Sequence, residues 1–141
     1  MPPGSVHAHR YDELTGLPNR SCIEDLARAV IVDAKSDLVV VLIDLPDVSD
    51  EMRKSTAQRL RAGARGDDVV ARISADRFAM LLTPRLGPGE EERLLTRLRT
   101  ALGADPPGIA ATFGIARSPE DGTSLDDLLA CASQRLRGTA H

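Results

Sequence analysis

Apolar and polar positions follow two different periods along the chain, and the changes of period mark its predicted elements. Residues 23–31 carry apolar side chains at helical spacing behind a cap at Asn19 or Ser21, which predicts an amphipathic helix. Residues 38–43 are continuously apolar, as is typical of a central strand covered on both faces. Two apolar runs within residues 69–82 enclose four polar or small residues, which predicts a β-hairpin with its tip in solvent.

Three more helices and one more strand complete the predicted order α-β-α-β-β-α-β-α. Apolar residues at helical spacing predict the helices over 50–65, 90–102 and 125–136. An apolar run predicts the strand over 109–116. Two β–α units interrupted by a hairpin indicate an α+β fold of the ferredoxin-like class, in which helices flank a central, mostly antiparallel sheet.

The bulk composition fits a globular domain and narrows the classes of partner. A chain of 141 residues is one domain by length, and we expect residues 1–10 to be a flexible lead-in to a domain over 11–141. A net charge of -3 and an aromatic content of 2% argue against a nucleic-acid surface and against a base-stacking platform. The longest apolar run is too short to cross a bilayer and no signal peptide opens the chain, so we expect no membrane segment and a cytoplasmic location.

Cysteine and histidine indicate no metal centre. Cys22 and Cys131 fall in predicted helices, and buried reduced thiols are the expectation. His7, His9 and His141 lie in the terminal segments and lack the spacing of metal ligands.

Four segments resemble a known family. Residues 12–20 read D-E-L-T-G-L-P-N-R and resemble the D-x-L-T-G-L-P-N-R opening of GGDEF domains, the diguanylate cyclases. The strand that ends at Asp44 resembles their first strand. Residues 66–82 resemble their G-D-x-V-A-R-x-G-G-D-E-F-x-x-L-L block, and residues 112–122 resemble their S-x-G-I-A and P-x-D-G segments. The resemblance extends over residues 12–136 and implies the nucleotidyl-cyclase palm fold.

The resemblance also implies a site for GTP. Family members condense two GTP molecules into cyclic di-GMP across a dimer, and acidic residues of the hairpin hold Mg²⁺ together with the aspartate that ends the first strand. Asp44 and Asp76 stand at these matching positions. Asp50 aligns with a guanine contact of the family.

The signature of this chain departs from the family pattern. Ser74 and Ala75 replace its two glycines, which adds roughly 1–2 kcal/mol where positive φ is needed. Arg77 replaces its glutamate, and a guanidinium about 4 Å from Mg²⁺ costs roughly 8 kcal/mol at a dielectric constant near 20. We therefore expect at most weak Mg²⁺ binding at Asp44 and Asp76, with a turn residue at a strand end and a turn residue at a hairpin tip as the alternative interpretation.

Other parts of the GTP site are missing too. Residues 45–50 lack the family's phosphate-binding lysine and guanine-binding asparagine, and residues 132–140 lack its late lysine. We therefore expect no diguanylate cyclase activity, and we assign no catalytic residue and no metal site.

One binding motif is retained. Arg65 and Asp68 resemble the family's inhibitory R-x-x-D motif, and five residues separate them from Ser74, as in the family. The resemblance implies that Arg65 and Asp68 bind cyclic di-GMP, and a guanidinium and a carboxylate suit a phosphate and a guanine edge. The alternative is a structural corner, because Arg favours helix ends and Gly-Asp-Asp favours turns.

Three functional hypotheses follow. The first is a non-catalytic regulatory domain in cyclic di-GMP signalling that senses the nucleotide through its R-x-x-D motif. The second is a dimerisation or protein-interaction domain, for which an attached phosphodiesterase (EAL) domain is one setting. The third is a GTP-binding allosteric domain with at most residual cyclase activity. All three need either cyclic di-GMP, GTP or a protein partner, which includes a second copy of the chain.

Overall fold

Five strands and four α-helices make up the part of the chain that the structure, a computed structural model, describes: residues 10–33, 37–82, 87, 89–103 and 109–138. The elements in chain order are α1 Arg20–Arg28, which runs on into a π-helical turn at Ala29–Asp33, β1 Leu38–Asp44, α2 Asp50–Gly63, β2 Val69–Ser74, β3 Arg77–Leu82, α3 Glu90–Gly103, β4 Thr112–Ser118, α4 Leu125–Gln134 and β5 Arg137–Gly138.

The strands form one sheet in the order β2-β3-β1-β4-β5, and every neighbouring pair is antiparallel. Helix α2 connects β1 to β2, and α3 connects β3 to β4. This arrangement confirms the predicted ferredoxin-like α+β fold. In the register, Asp44 at the end of β1 lies opposite Arg77 on one side and Thr112 on the other.

Strand β1 is buried on both faces, as its continuous apolar run predicts. Val39, Val41 and Ile43 pack in the same cluster as the leucines of α2 and α3. The alternate residues of β1 pack in a second cluster, which also contains Ile23 of α1 and Leu128 of α4. Because successive side chains of a strand point to opposite faces of the sheet, β1 contacts a layer of helices on each face.

Helix starts follow the polar residues in front of them. The side chain of Asn19 accepts a hydrogen bond from the backbone N–H of Cys22, which confirms one of the two caps predicted for α1. Ser49 accepts from Met52 N–H at the start of α2, and Ser124 caps α4 in the same way.

Gly114 in the T-F-G-I-A segment has a packing role. A Cβ built at this position would clash with the backbone carbonyl oxygen of Ala132. The backbone of α4 therefore rests directly on β4, which only a residue without a side chain permits.

Several boundaries differ from the sequence prediction. The hairpin tip is the two-residue turn Ala75–Asp76 rather than residues 74–77, since Ser74 still pairs with Arg77. Strand β4 begins at Thr112 rather than Ile109, because its partner β1 ends opposite, at Asp44. Beyond the end of β1, the Leu45 N–H bonds to the Asp76 carbonyl, and Pro46, which has no N–H to donate, follows.

Helix α4 ends at Gln134 rather than at residue 136. The Arg135 guanidinium reaches back to Asp121 and to the Ile115 carbonyl, and the chain then pairs with β4 as the short strand β5, which the sequence did not predict. Leu136 still packs against the core.

The remaining sequence predictions meet the structure only in part. Cys22 and Cys131 are free thiols, but both are only partly buried, so the expectation of buried thiols was wrong. His7, His9, His141 and nearly all of the predicted lead-in lie outside the described residues. Across the ranges given above, no helix combines the length and the apolar character needed to cross a bilayer.

Candidate functional site

The turn between β2 and β3 brings the signature residues to the end of β1. Because Arg77 lies opposite Asp44 in the sheet, its Nε donates to Asp44 Oδ1 at 2.8 Å. Its Nη1 lies 3.5 Å from the Ser133 hydroxyl on α4. Ser74 and Ala75 are exposed at the tip, as predicted. Arg77 therefore neutralises the carboxylate that the sequence matched to a metal ligand.

Asp76, the second such carboxylate, is bound by an arginine from α2. Arg53 places Nε at 2.9 Å and Nη2 at 2.8 Å from Asp76 Oδ1. Its Nη1 donates to Asp50 Oδ1 at 2.8 Å, and its Nη2 lies 3.6 Å from Asp47 Oδ1. The Arg53 side chain is only 14% exposed, whereas Asp50 is 67% exposed. The largely buried guanidinium of Arg53 thus contacts acids of the β1–α2 loop, the start of α2 and the hairpin tip.

This donor set does not fit the divalent cation that the fold implies. Mg²⁺ needs several oxygen ligands at about 2.1 Å in octahedral geometry. Asp44 and Asp76 each bond to an arginine, and Arg77 replaces a third carboxylate. Across the described residues, no three His, Cys, Asp or Glu side chains gather as metal ligands. Both carboxylates therefore already have a cationic partner within the domain.

The opening motif supports the hairpin from the other side. Asp12 accepts from the backbone and the hydroxyl of Thr15, at 2.9 and 2.7 Å. Its other oxygen accepts from Arg72 Nη1 at 2.9 Å, and Arg72 Nη2 donates to the Ala75 carbonyl at 3.0 Å. Burial raises the pKa of Asp12, but these bonds outweigh it, so the net pKa is lowered. Arg72 therefore links the D-E-L-T turn to the hairpin tip.

The P-E-D-G segment also forms an ion pair. Asp121 receives two parallel hydrogen bonds from Arg135, each 2.8 Å long, and the Arg117 N–H donates to it as well. The hydrogen bonds from Arg135 lower the pKa of Asp121 most, and the bond from the Arg117 N–H lowers it further. This pair fixes the end of α4 against β4, so its role is structural.

Arg65 and Asp68 lie at the opposite end of β2 from Ser74. Asp68 accepts the Arg65 backbone N–H at 2.9 Å, and the Asp68 N–H donates to the Arg65 carbonyl at 2.7 Å. The carboxylate therefore closes the turn that leads into β2. The Arg65 side chain is exposed and forms no hydrogen bond or ion pair with a residue in the described ranges. The corner thus has a structural acid and an available guanidinium.

Two cavities meet at this corner. One, of about 410 Å³, is lined by the opening turn, by Arg61 and Arg65, and by the exposed residue Tyr11. The other, of about 240 Å³, is lined by Arg65, Arg93 and Arg97 with Asp68 and Glu90. A third cavity, of about 510 Å³, lies at the hairpin beside Arg20, Ser74 and Arg77.

The structure groups the predicted site residues into two regions. Asp44, Asp50, Asp76 and Arg77 come together at the hairpin end, and Arg65 with Asp68 form a separate corner. Sequence reasoning missed the roles of four residues: Arg53, Arg72, Arg61 and Tyr11. The i, i+3 spacing of Asp50 and Arg53 was a usable signal for their pair, but nothing in the sequence links Arg53 to Asp76.

Known proteins share both the sequence and the fold. A family model described as "Diguanylate cyclase, GGDEF domain" matches residues 9–140. The crystal structure of a sensory box/GGDEF family protein from Caulobacter crescentus CB15 superposes with a TM-score of 0.78 at 26% identity, over 90% of this chain and 95% of that one.

Two curated relatives come from Pseudomonas aeruginosa. The cyclic di-GMP phosphodiesterase NbdA is 28% identical over an alignment that is 158 residues long. The alignment covers 92% of this chain and 20% of NbdA. The diguanylate cyclase TpbB is 28% identical over 136 residues, which cover 82% of this chain and 31% of TpbB. The chain therefore spans less than a third of either relative.

Proposed function

This chain belongs to the GGDEF domain family, and from that premise we propose that it is a non-catalytic regulatory domain of cyclic di-GMP signalling. In this proposal its GTP site has lost the ability to hold a metal. Its R-x-x-D corner, Arg65 and Asp68, binds cyclic di-GMP.

The arginine pairs at the hairpin carry the proposal. Asp44 and Asp76 each accept a hydrogen bond shorter than 3 Å from an arginine, Arg77 and Arg53 respectively. A divalent cation would have to displace both guanidinium groups and would leave Arg77 close to the ion. That repulsion amounts to several kcal/mol at protein-like dielectric constants. Two triphosphates therefore lack the metal that would neutralise their charge during condensation.

The corner has the opposite character. Arg65 offers a planar fork of donors that no described side chain occupies. Arg61, Arg93 and Arg97 line the same two cavities, so the corner is locally basic on a chain whose net charge is -3. A ligand with two phosphate groups and two guanine edges suits this set of donors and the acceptor Asp68.

The first test is turnover. The purified chain is incubated with GTP and Mg²⁺, and the products are separated by chromatography. We expect no cyclic di-GMP above the level of a sample without protein. Product formation at an ordinary enzymatic rate would overturn the non-catalytic part of the proposal.

The second test is binding. Titration calorimetry with cyclic di-GMP compares the natural chain with Arg65→Ala and with Arg28→Ala, an exposed arginine on α1 whose side chain is 66% exposed. We expect Arg65→Ala to weaken binding about tenfold or more, since charge-assisted bonds contribute about 1.5–3 kcal/mol. Arg28→Ala should bind normally. Equal losses in both variants would contradict a specific role for the corner.

A second candidate is favoured by the lengths of the relatives. This chain spans 20% of NbdA, which is named a cyclic di-GMP phosphodiesterase, so a domain of this family occurs within a longer protein of that name. In this alternative the domain acts through contact with an EAL domain or with a second copy of itself. Size-exclusion chromatography with light scattering tests self-association. Contact with an EAL domain is tested by measuring the phosphodiesterase activity of that EAL domain with and without this domain.

The hairpin cavity favours a third candidate, which is GTP binding without catalysis. Arg20 and Arg77 line a cavity of about 510 Å³ there, although both also pair with carboxylates. In this alternative GTP raises the melting temperature and cyclic di-GMP leaves it unchanged. The opposite pattern supports the R-x-x-D corner as the nucleotide site.

A further inference from the structure

The cavity of about 410 Å³ beside the R-x-x-D corner contains a group that the motif does not account for. Its wall combines the opening turn at Gly16 and Pro18 with Arg61, Arg65 and Tyr11. Tyr11 is the only tyrosine of the chain, which has no tryptophan. The aromatic content of 2% argues against a stacking platform of several rings, but it carries no information on where a single aromatic residue lies.

The backbone of Tyr11 is held in place although its side chain is open to solvent. Tyr11 and Pro18 form an antiparallel β-bridge, and the adjoining Arg10 carbonyl accepts the Asn19 N–H at 3.0 Å. The side chain is nevertheless 58% exposed, the largest exposed fraction among the large hydrophobic residues in the described ranges. A rigidly mounted ring that buries little of its surface gains little for folding.

We propose that Tyr11 forms the stacking face of a guanine subsite in this cavity, with Arg61 and Arg65 facing the phosphates of the same nucleotide. The inference rests on the proposed function, because it takes cyclic di-GMP as the ligand of the corner. It goes further in naming a side chain outside the R-x-x-D motif that binds the base.

The chemistry of the cavity wall favours a purine nucleotide over an acidic peptide. An aromatic face stacks on any base, and guanidinium groups bind phosphate. Asp68 uses Oδ2 for the Arg65 N–H, while Oδ1 accepts no hydrogen bond within the described ranges, so an acceptor is available for the N–H groups of a guanine edge. The same carboxylate would repel an acidic peptide.

The single tyrosine makes the test specific. Tyrosine fluorescence of the natural chain is followed during titration with cyclic di-GMP, and free tyrosine with the same additions corrects for nucleotide absorbance. We expect quenching that saturates with the calorimetric binding curve. Cyclic di-AMP, whose adenine lacks the N1–H and N2–H donors, should quench more weakly.

Variants separate stacking from folding. Tyr11→Ala should raise the dissociation constant for cyclic di-GMP about tenfold or more, because base–aromatic stacking contributes about 1–3 kcal/mol. Tyr11→Phe keeps the ring and should bind as the natural chain does. Val32→Ala is the matched control, since Val32 is 57% exposed and lies in the π-helical turn, away from this cavity. Urea unfolding of each variant shows whether its fold is intact.

Each outcome bears on one claim. Quenching together with a loss specific to Tyr11→Ala supports the guanine subsite. Calorimetric binding with unchanged fluorescence and an unchanged affinity of Tyr11→Ala overturns the subsite and leaves the proposed function standing. Absence of cyclic di-GMP binding to the natural chain overturns both.

Discussion

Arginine plays opposite roles at the two ends of strand β2. At the hairpin end, Arg77 bonds to Asp44 and Arg53 bonds to Asp76, so both guanidinium groups are paired with carboxylates of the same domain. At the corner before β2, the Arg65 guanidinium is exposed and no described side chain pairs with it. The two ends are only about 17 Å apart, given the rise per residue of a strand.

The difference shows how one scaffold supports two electrostatic arrangements. At the hairpin, where the family pattern has a glutamate, Arg77 pairs with Asp44, and Arg53 pairs with Asp76, so both carboxylates already have a cationic partner. At the corner, no hydrogen bond or ion pair within the described ranges engages the Arg65 guanidinium, so its charge is available to an anion. The number of charges matters less than whether each charge already has a partner.

The largest expected effect concerns Arg53, the buried member of the hairpin cluster. Arg53→Ala removes bonds to Asp76 and Asp50 and leaves Asp76, which is 30% exposed, without its cation. We expect the midpoint of urea denaturation to fall below that of the natural chain, because charge-assisted hydrogen bonds are lost. The control is Lys54→Ala, at an exposed neighbour on α2, which should change stability by less than about 0.5 kcal/mol. Similar values for both variants would contradict the buried role of Arg53.

Restoring an acid at the hairpin should break the contrast between the two ends. In Arg77→Glu, two carboxylates face each other across β1 and β3, which we expect to cost about 1 kcal/mol without metal. Millimolar Mg²⁺ should raise the melting temperature of this variant and leave the natural chain unaffected. Arg77→Gln, which removes the cation and adds no acid, is the control and should show no response to Mg²⁺. A Mg²⁺ response equal in all three proteins would refute our account of the donor set.

At the corner, Asp68 and its neighbour Asp67 offer a matched pair. Asp68→Ala removes the acceptor of the Arg65 N–H and should lower the free energy of unfolding by about 1 kcal/mol. It should also weaken cyclic di-GMP binding. Asp67 is exposed, and Asp67→Ala should leave both quantities unchanged. If Asp68→Ala lowered stability but not affinity, the corner would be structural only.

The smallest expected effect is on acid stability. The pKa of Asp12 is lower in the folded protein than its ordinary value of 3.8, so the unfolded chain binds this proton more readily. The stabilisation by Asp12 is therefore present above about pH 4 and is lost as the pH falls through the lowered pKa. Urea unfolding at pH 7 and pH 3 should show a smaller loss in Asp12→Asn than in the natural chain. Glu13→Gln, at an exposed neighbour, should lose as much as the natural chain does.

Much of the fold could be predicted because its elements follow local periods. The central strand at residues 38–43, the hairpin and all four helices were found from apolar spacing, and the errors were at boundaries set by partners and in the missed short strand β5. The late start of β4 depends on where β1 ends, and the early end of α4 depends on the pair between Arg135 and Asp121. Neither pairing leaves a local signal.

The candidate site was predictable to a lesser extent. The sequence identified Asp44, Asp76 and Arg77 as a group, because family motifs align them. It could not show that Arg53 binds Asp76 from 23 positions away, nor that Tyr11 shares a cavity with Arg65. Arginine side chains are long, so their partners are determined by three-dimensional proximity.

The amino-acid sequence by itself determined the family, the order of the elements and the loss of an acid at the hairpin, since these depend on residue identity and local spacing. Only the tertiary structure decided which charges are already paired and which remain available. The physical reason is that ion pairing depends on distances between side chains from separate elements, and the packing of α2 and the opening turn against the hairpin sets those distances.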